Sequence, residues 1–384
     1  MIYLDNAATT PMHPDVLNAM MPYLTDAYGN PGSLHAMGRQ AAEAVDKARR
    51  QVADFLHCEP EQVIFTAGGS EGNNLVLKGL SRTLRDLGKT HVIVSKTEHE
   101  STYKAALQMC IKDGFHLSFA NPTLGEIRAQ TVEKLITPHT GLVSVMTVNN
   151  EVGTINPVHR IGKLCREQGV FFHTDAVQAA MDLDLDMSQG FCDFLTISSH
   201  KINGPKGMGA VYARDPSLLR PLISGGEEQE FGLRGGTENV AGIVGFGKAC
   251  ELAAENIKDR SRAVLWDFCP TFTNTLRMNG VKDFIVHTWP LAVSTPKILN
   301  IAFPGVDAQT LLLMLDSQGV CVSAGSACQA HEHKTSRVLL AMGISKEEAD
   351  SSIRISFSHL NTVEEVHEAA VITAECVKAL QRRT

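Results

Sequence analysis

A lysine follows a predicted strand in the stretch SSHKINGPKG, which spans residues 198–207. The apolar runs on its two sides, 194–197 and 208–212, are each typical of a buried strand. Lys201 therefore lies on a loop at a strand end, where rigid scaffolds often carry their reactive groups. A lysine amine in such a place can form a Schiff base with a carbonyl compound. The alternative is a hairpin with a solvated lysine, and these ten residues favour neither.

A glycine-containing turn, TAGGSEGNN at 66–74, follows another predicted strand and opens a predicted helix. Its two glycines let the backbone approach an anion closely, and free N–H groups at a helix start can hold a phosphate. Ser70 adds a hydroxyl to the same turn. The alternative is an ordinary turn in which Ser70 is the helix N-cap. The turn is not a Walker loop, because no GK[ST] follows the glycines.

A carboxylate and a histidine complete the set of candidate groups. Asp175, in HTDAVQ at 173–178, ends a predicted strand; as a buried carboxylate it needs a partner such as a pyridinium N–H, unless it simply caps a helix. His99, in TEHES at 97–101, is either a surface for stacking on a planar ring or a satisfied core histidine. Together with Lys201 and the phosphate turn, these groups are the parts that pyridoxal 5'-phosphate requires. The sequence therefore predicts this cofactor, carried on Lys201.

Short apolar strands alternate with amphipathic helices through the first two thirds of the chain, with predicted strands at 62–66, 91–95, 116–120, 141–148 and 170–175. This rhythm is typical of a doubly wound α/β layer, in which ligands bind beyond the carboxyl ends of the strands. After about residue 258, a strand at 297–304, a helix at 307–318 and a helix from about 362 indicate a smaller α+β domain. We therefore predict a large domain at 14–258 and a small domain formed by 1–13 and 259–384.

Composition excludes several classes of protein. The 384 residues are 43% hydrophobic and 20% charged, which is ordinary for a soluble globular chain. A net charge of −7 argues against non-specific nucleic-acid binding, and no apolar run reaches the roughly 18 residues that a membrane span needs. The start, MIYLDNAATTP, lacks the features of a signal peptide. Nine cysteines without a CxxC pair predict reduced thiols, a cytoplasmic location and no metal site.

A series of motifs along the chain resembles one known family. The motifs are YLDNAATTP, GGSEGNN, TEHES, VNNEVGTINP, HTDAVQ, SSHKINGPKG, GLRGGTENV and SAGSAC. In type and order they resemble the NifS/IscS-type cysteine desulfurases of the class-V aminotransferase group, over nearly the whole chain. The resemblance implies a fold-type I, pyridoxal-phosphate-dependent transferase with a mainly parallel seven-stranded sheet in its large domain. It also implies a homodimer that takes L-cysteine as substrate and leaves L-alanine.

The resemblance implies a role for each residue that would hold the cofactor. Lys201 would be the Schiff-base lysine, Asp175 would pair with the ring nitrogen, and His99 would stack on the ring and assist proton transfer. The other ligands would be Gly69, Ser70, Ser198 and His200 at the phosphate, and Asn150 and Gln178 near the phenolic oxygen. Thr237 would reach the phosphate from the partner subunit, so the site would be complete only in the dimer.

Substrate and sulfur would meet a second group of residues. Arg354 would clamp the substrate carboxylate with a bidentate pair, although without the resemblance it reads as a surface salt-bridge arginine. Asn6, Ala7 and Asn150 would line the substrate pocket. Cys328, at the end of SAGSAC, would take the sulfur as a persulfide and deliver it to an acceptor protein.

The sequence leaves alternatives open for the activity, for the sulfur acceptor and for the loop after Cys328. The enzyme could instead be an aminotransferase or a selenocysteine lyase of the same fold, or a silent sulfur-carrier subunit. The acceptor could serve iron–sulfur cluster assembly, tRNA thiolation or sulfur modification of DNA. The loop after Cys328 reads QAHEHKTSRVL, and its histidines, His331 and His333, either favour the thiolate or contact a partner.

Overall fold

Seven strands form the central sheet of the computed structural model, which describes residues 1–258, 264–288, 293–325 and 335–382. The strands of the described residues are β1 (Ile2–Tyr3), β2 (Val63–Thr66), β3 (His91–Ser95), β4 (His116–Ala120), β5 (Thr140–Ser144), β6 (Phe171–Asp175), β7 (Phe194–Ser198), β8 (Gly209–Ala213), β9 (Ile285–Val286), β10 (Ile298–Ala302), β11 (Val320–Cys321) and β12 (Ser352–Ser356). The central sheet has the order β2-β8-β7-β6-β5-β3-β4. Strand β8 runs antiparallel to both of its neighbours, and the other pairs are parallel.

Helices cover both faces of this sheet. The helices of the described residues are α1 (Pro14–Leu24), α2 (Ala36–Leu56), α3 (Gly69–Gly79), α4 (Ser81–Asp86), α5 (Glu100–Asp113), α6 (Ala129–Glu133), α7 (Val158–Glu167), α8 (Val240–Lys258), α9 (Leu265–Met278), α10 (Ala308–Ser317), α11 (Arg337–Ala341), α12 (Lys346–Asp350) and α13 (Val363–Gln381). One apolar cluster holds α1, α2, α7 and α8 against the sheet, and another holds α3 and α5. Strands buried on both faces explain the continuous apolar runs of the sequence.

Two predicted elements differ from the structure. The apolar run at 141–148 predicts one long strand, but β5 ends at Ser144. Beyond it the N–H of Met146 donates to the side chain of Glu98 instead of to a strand, although Val145 and Thr147 still donate to carbonyls of β6. The predicted helix from Ser70 to Leu87 is divided at Leu80 into α3 and α4. The division coincides with a contact from a distant part of the chain, since the carbonyl of Gly79 accepts a hydrogen bond from the N–H of Arg220.

A third apolar cluster lies in the C-terminal part of the chain. Strands β9, β10 and β12 form an antiparallel sheet, on which α9, α10 and α13 pack. Strand β1 pairs in parallel with β11, so that Ile2 and Leu4 belong to this cluster rather than to the core of the central sheet. The division of the chain at residues 13 and 258 stays a prediction. None of the described helices combines the length and the apolar character needed to cross a membrane.

Candidate active site

A cavity of about 190 Å³ lies where the carboxyl ends of β6 and β7 meet the start of α3 and the N-terminal segment. Its lining residues are Ala7, Ala8, Gly69, Ser70, Asn73, His99, Met146, Asn150, Asp175, Val177, Gln178, Ser198, His200, Lys201 and Arg354. All of the predicted site residues are among them except Asn6, Thr237 and Cys328. Residues that are up to 347 positions apart in the sequence therefore surround one space.

Lys201 closes a single turn of 3₁₀ helix, Ser199–Lys201, in the connection between β7 and β8. The hairpin of the alternative interpretation is present, because β7 and β8 pair antiparallel. The lysine is not solvated, however: it is half-buried, and its Nζ donates to the carbonyl of Ala8 at 2.6 Å and to that of Ala7. The amine is thus held at the cavity wall by the N-terminal segment.

The glycine turn brings α3 very close to the sheet. A Cβ at Gly69 would lie 2.8 Å from Val177 Cγ2, and one at Gly72 would lie 2.8 Å from Thr196 Cγ2. The helix N-cap is Gly68, which has a φ of 141° and makes no side-chain cap. The interpretation of Ser70 as the N-cap is therefore wrong, and its hydroxyl and the first N–H groups of α3 border the cavity.

Asp175 is the last residue of β6 and is 4% exposed. Its Oδ1 accepts the N–H of Val177 at 3.0 Å, and its Oδ2 accepts the amide of Asn73 at 2.6 Å. The carboxylate thus supports the turn that follows its strand, but it caps no helix, because none begins there. Each carboxylate oxygen can accept more than one hydrogen bond, so Asp175 also has acceptor capacity toward the cavity that it lines.

Two histidines border the cavity, and both are kept neutral by burial. His99 is the N-cap of α5, and burial lowers its pKa. Burial, and then the neighbouring Lys201 and Lys206, lower the pKa of His200 to about 4. His200 Nδ1 lies 3.1 Å from the hydroxyl of Thr9. At neutral pH each ring therefore offers one N–H donor and one acceptor.

Arg354 lies on β12 and is 1% exposed, so its interpretation as a surface arginine is wrong. Its Nη2 donates to Asp5 Oδ1 at 2.8 Å, and its Nη1 donates to the carbonyl of Asn150 at 2.9 Å. The third nitrogen, Nε, is buried without a hydrogen-bond partner among the described residues. The guanidinium is therefore fixed in position from two sides.

The remaining predicted residues occupy different places. Gln178 donates to the carbonyl of Ala7 at 2.8 Å. Asn6 donates to the carbonyl of Ser356 at 3.0 Å and borders a smaller space beside the main cavity. Thr237 is exposed and does not line the cavity of its own chain. Cys328 lies outside the described residues, as do His331, Glu332 and His333.

Sequence reasoning missed two polar residues of this region. Asn73 lines the cavity and stands three positions after Ser70, on the same face of α3, so helical spacing was a usable signal. Glu98 is fully buried beside His99, accepts the N–H of Met146 at 2.6 Å, and has its pKa raised well above the usual value by burial and then by Asp175. Its position in TEHES gave no such signal, because burial of a carboxyl is set by the tertiary structure.

Known proteins resemble this chain over its whole length. The family model for class-V aminotransferases matches residues 2–368. The mitochondrial cysteine desulfurase of Drosophila melanogaster is 42% identical, over 99% of this chain and 81% of that protein. A solved NifS-like protein superimposes with a TM-score of 0.90 and 33% identity, over 98% of this chain and 99% of the other. A structure titled SspA in complex with cysteine gives a TM-score of 0.81 and 35% identity, over 93% and 99%.

These similarities confirm the fold class: the molecule has the architecture of the fold-type I transferases, with a mainly parallel seven-stranded sheet. They also confirm the resemblance that the motifs indicated. The chain belongs to the class-V aminotransferase family and, within it, to the cysteine desulfurases of the NifS and IscS type.

Proposed function

We propose that this protein is a pyridoxal-phosphate-dependent cysteine desulfurase. It converts L-cysteine to L-alanine and transfers the sulfur to Cys328 as a persulfide, from which an acceptor protein receives it. The observation that carries the proposal is the meeting of Lys201, Asp175, His99 and Arg354 around one cavity, in a chain of the cysteine desulfurase family. A related protein solved in complex with cysteine supports the choice of substrate.

The residues present fit the proposed cofactor. A Cβ at Gly69 would clash with Val177, so only a glycine allows the start of α3 to border the cavity at this position, and the free N–H groups there suit a phosphate. Asp175 has acceptor capacity for a ring N–H, and Lys201 supplies the amine for covalent attachment. When bound, the cofactor supplies an electron sink for the α-carbon of an amino acid. Gly69, Ser70, Ser198 and His200 would hold the phosphate, and Asn150 and Gln178 would hydrogen-bond near the phenolic oxygen.

The chain's own groups orient the substrate and move its proton. Arg354 lines the cavity, and its guanidinium, already fixed by Asp5 and the carbonyl of Asn150, binds the substrate carboxylate. Asn6, Ala7 and Asn150 border the space beside this carboxylate. Lys201 Nζ, kept at the cavity wall by the carbonyls of the N-terminal segment, takes the proton from the α-carbon.

Sulfur transfer is balanced without an external oxidant. The thiolate of Cys328 forms a bond to the sulfur of the substrate while the carbon–sulfur bond of the substrate breaks. The electron pair of that bond remains with the carbon, which gains a proton to become the methyl group of alanine. L-cysteine and the Cys328 thiol thus give L-alanine and a persulfide.

The proposed dimer has support on the surface of the chain. Apolar residues at and after α1 are exposed, among them Leu24, Tyr28 and Leu34, and such a patch favours association. Thr237 is exposed and does not line the cavity of its own chain, as expected of a residue that serves the partner's phosphate site. We further propose a cytoplasmic location, because the eight cysteines of the described residues are all free thiols.

The experiment that tests this function is the substitution Cys328→Ser. We expect the variant to bind cysteine with the absorbance change of the loaded enzyme, but to lose both persulfide and steady-state alanine release. Cys321→Ser, seven positions upstream, is the matched control and should retain both activities. Alanine release by Cys328→Ser at the wild-type rate would remove Cys328 from the reaction, and formation of a keto acid from cysteine would instead indicate an aminotransferase.

A further inference from the structure

A chain of hydrogen bonds joins His99 to Asp175 through two residues on different helices. Asn73 Nδ2, on α3, lies 2.6 Å from Asp175 Oδ2 and 2.9 Å from Ser101 Oγ. Ser101, in the first turn of α5, lies with its Oγ 2.7 Å from His99 Nδ1. The chain therefore links the two groups that would face the ring and the ring nitrogen of the cofactor.

The direction of each hydrogen bond in this chain follows from donor chemistry. The backbone N–H of Ser101 donates to His99 Nδ1 at 3.2 Å, so this nitrogen is an acceptor and carries no proton. The hydroxyl of Ser101 then donates to the same nitrogen. With its proton used in this way, Ser101 Oγ accepts from Asn73, whose two N–H groups serve Ser101 and Asp175.

Asp175 determines the orientation of the Asn73 amide. A reversed amide would direct Oδ1 at the carboxylate, where two acceptors without a proton between them repel each other. In the observed orientation Asn73 Oδ1 is buried without a hydrogen-bond partner among the described residues. The charge-assisted bond to Asp175 outweighs that unmade hydrogen bond, because bonds to an ionised acceptor are about twice as strong as neutral ones.

We infer that Ser101 and Asn73 are positioning residues that hold His99 as the tautomer with its proton on Nε2. A second proton on the ring would have to enter at Nδ1, where two donors already point. His99 can therefore donate a proton from Nε2 but cannot accept one there in its resting state. The consequence for the reaction rests on the proposed function: His99 is the proton donor, and Lys201 is the base.

Burial and charged groups of both signs act on the pKa of His99. Burial is the largest influence and lowers the pKa of His99. Asp175 and Glu100 act to raise it, whereas Lys201 and Arg337 act to lower it. A neutral ring agrees with the hydrogen-bond directions, which were deduced from geometry alone.

The test is ¹⁵N NMR of the full-length protein labelled at histidine, with and without pyridoxal phosphate, using His99→Gln to assign the signals. We expect His99 Nδ1 in the range of an unprotonated, hydrogen-bonded nitrogen and Nε2 in the protonated range. Ser101→Ala removes one of the two donors to Nδ1 and should shift the tautomer ratio by about fivefold toward a proton on Nδ1. Ser101→Thr keeps the hydroxyl and should restore the wild-type signals.

Turnover gives the second readout. Ser101→Ala should lower kcat for alanine formation by about tenfold with little change in KM, and Ser101→Thr should recover most of the loss. A wild-type spectrum with the proton on Nδ1, or Ser101→Ala signals equal to those of the wild type, would overturn the inference. The NMR signals do not depend on turnover, so failure of the desulfurase assignment would be seen separately as absence of alanine.

Discussion

Two buried polar clusters in this molecule differ in how completely their groups are satisfied. Away from the cavity, Arg49 and Glu230 form a bidentate pair at 2.6 and 3.0 Å. Arg49 also donates to the carbonyl of Val63, and Glu230 also accepts the N–H of Phe65. At the cavity, Arg354 Nε and Asn73 Oδ1 have no partner among the described residues. Buried groups of a structural cluster satisfy one another, whereas a site for ligands keeps capacity for what it binds.

The saturated cluster stabilises an unusual backbone. Glu230 and Phe231 have φ angles of 43° and 57°, in the left-handed region that non-glycine residues rarely adopt. Such conformations cost about 1–3 kcal/mol each and persist only where the surroundings impose them. The guanidinium of Arg49 lies 4.8 Å from the ring centre of Phe65, on β2, and 5.0 Å from that of Phe231. It therefore connects the segment around Phe231 to the central sheet. This cluster supports the segment that leads to Thr237.

The largest effect is expected at Lys201, where a substitution should abolish activity but change the stability of the fold only a little. Lys201→Ala should abolish alanine formation and the visible absorbance of bound cofactor, because it removes the amine that would carry the cofactor. The free energy of unfolding of the cofactor-free protein should change by no more than about 2 kcal/mol, since the half-buried side chain loses hydrogen bonds of about 1 kcal/mol each, among them those to the carbonyls of Ala7 and Ala8. Exposed Lys206→Ala, in the same loop, is the control and should change neither property. Turnover by Lys201→Ala at the wild-type rate would contradict the cofactor assignment.

The opposite pattern is expected at the saturated cluster. Glu230→Gln leaves the buried guanidinium of Arg49 without its carboxylate, which should lower the free energy of unfolding by about 3–5 kcal/mol. Urea denaturation at one fixed protein concentration measures this change. The cofactor absorbance of the folded variant should be retained, because no atom of Glu230 lines the cavity.

The control for this substitution is Glu228→Gln, at an exposed position two residues earlier. It should change the free energy of unfolding by less than about 0.5 kcal/mol. Equal losses in the two variants would show that the Arg49–Glu230 pair does not contribute as a buried ion pair. In that case the cluster around Arg49 and Glu230 would not be an example of buried polar groups that stabilise the fold by satisfying one another.

The sequence was sufficient for the strand–helix alternation and for most of the lining of the cavity. Both depend on local signals: apolar runs buried on both faces, and polar residues such as Lys201 and Asp175 directly after them. The motifs then related these residues to a family. The role assigned to Cys328 stays a prediction, because this residue lies outside the described residues.

The features that sequence reasoning missed depend on contacts between distant elements. Arg354 is buried on β12, where Asp5, 349 positions away in the sequence, pairs with it directly. The roles of Asn73 and Ser101 depend on how α3 and α5 meet, and a single sequence does not contain that relative position. The break of the predicted helix at Leu80 likewise coincides with a contact from Arg220, in another part of the chain.

His173 lies two residues before Asp175, close to the cavity residues in sequence. Both of its ring nitrogens nevertheless have hydrogen-bond partners within the protein, as the groups of the Arg49 cluster do. Its Nδ1 lies 2.8 Å from Ser144 Oγ and its Nε2 lies 3.1 Å from Thr196 Oγ1, and the ring is fully buried. Burial lowers its pKa from 6.5 to about 3. A saturated, neutral histidine of this kind contributes to stability in a pH-dependent way and needs no role in the reaction.

The smallest predicted effect is the contribution of His173 to the loss of unfolding free energy at acidic pH. Between pH 6.5 and 3 the unfolded chain binds a proton at this residue and the folded chain does not, so stability falls as the pH falls. The residue should account for about 1 kcal/mol of the loss in unfolding free energy between pH 6 and pH 5, and His173→Asn should reduce the loss by that amount. His139→Asn, at an exposed position, is the control and should leave the pH dependence unchanged. An identical pH dependence in wild type and His173→Asn would mean that His173 titrates normally in the folded protein, and that hydrogen bonds at both nitrogens do not keep a buried histidine neutral here.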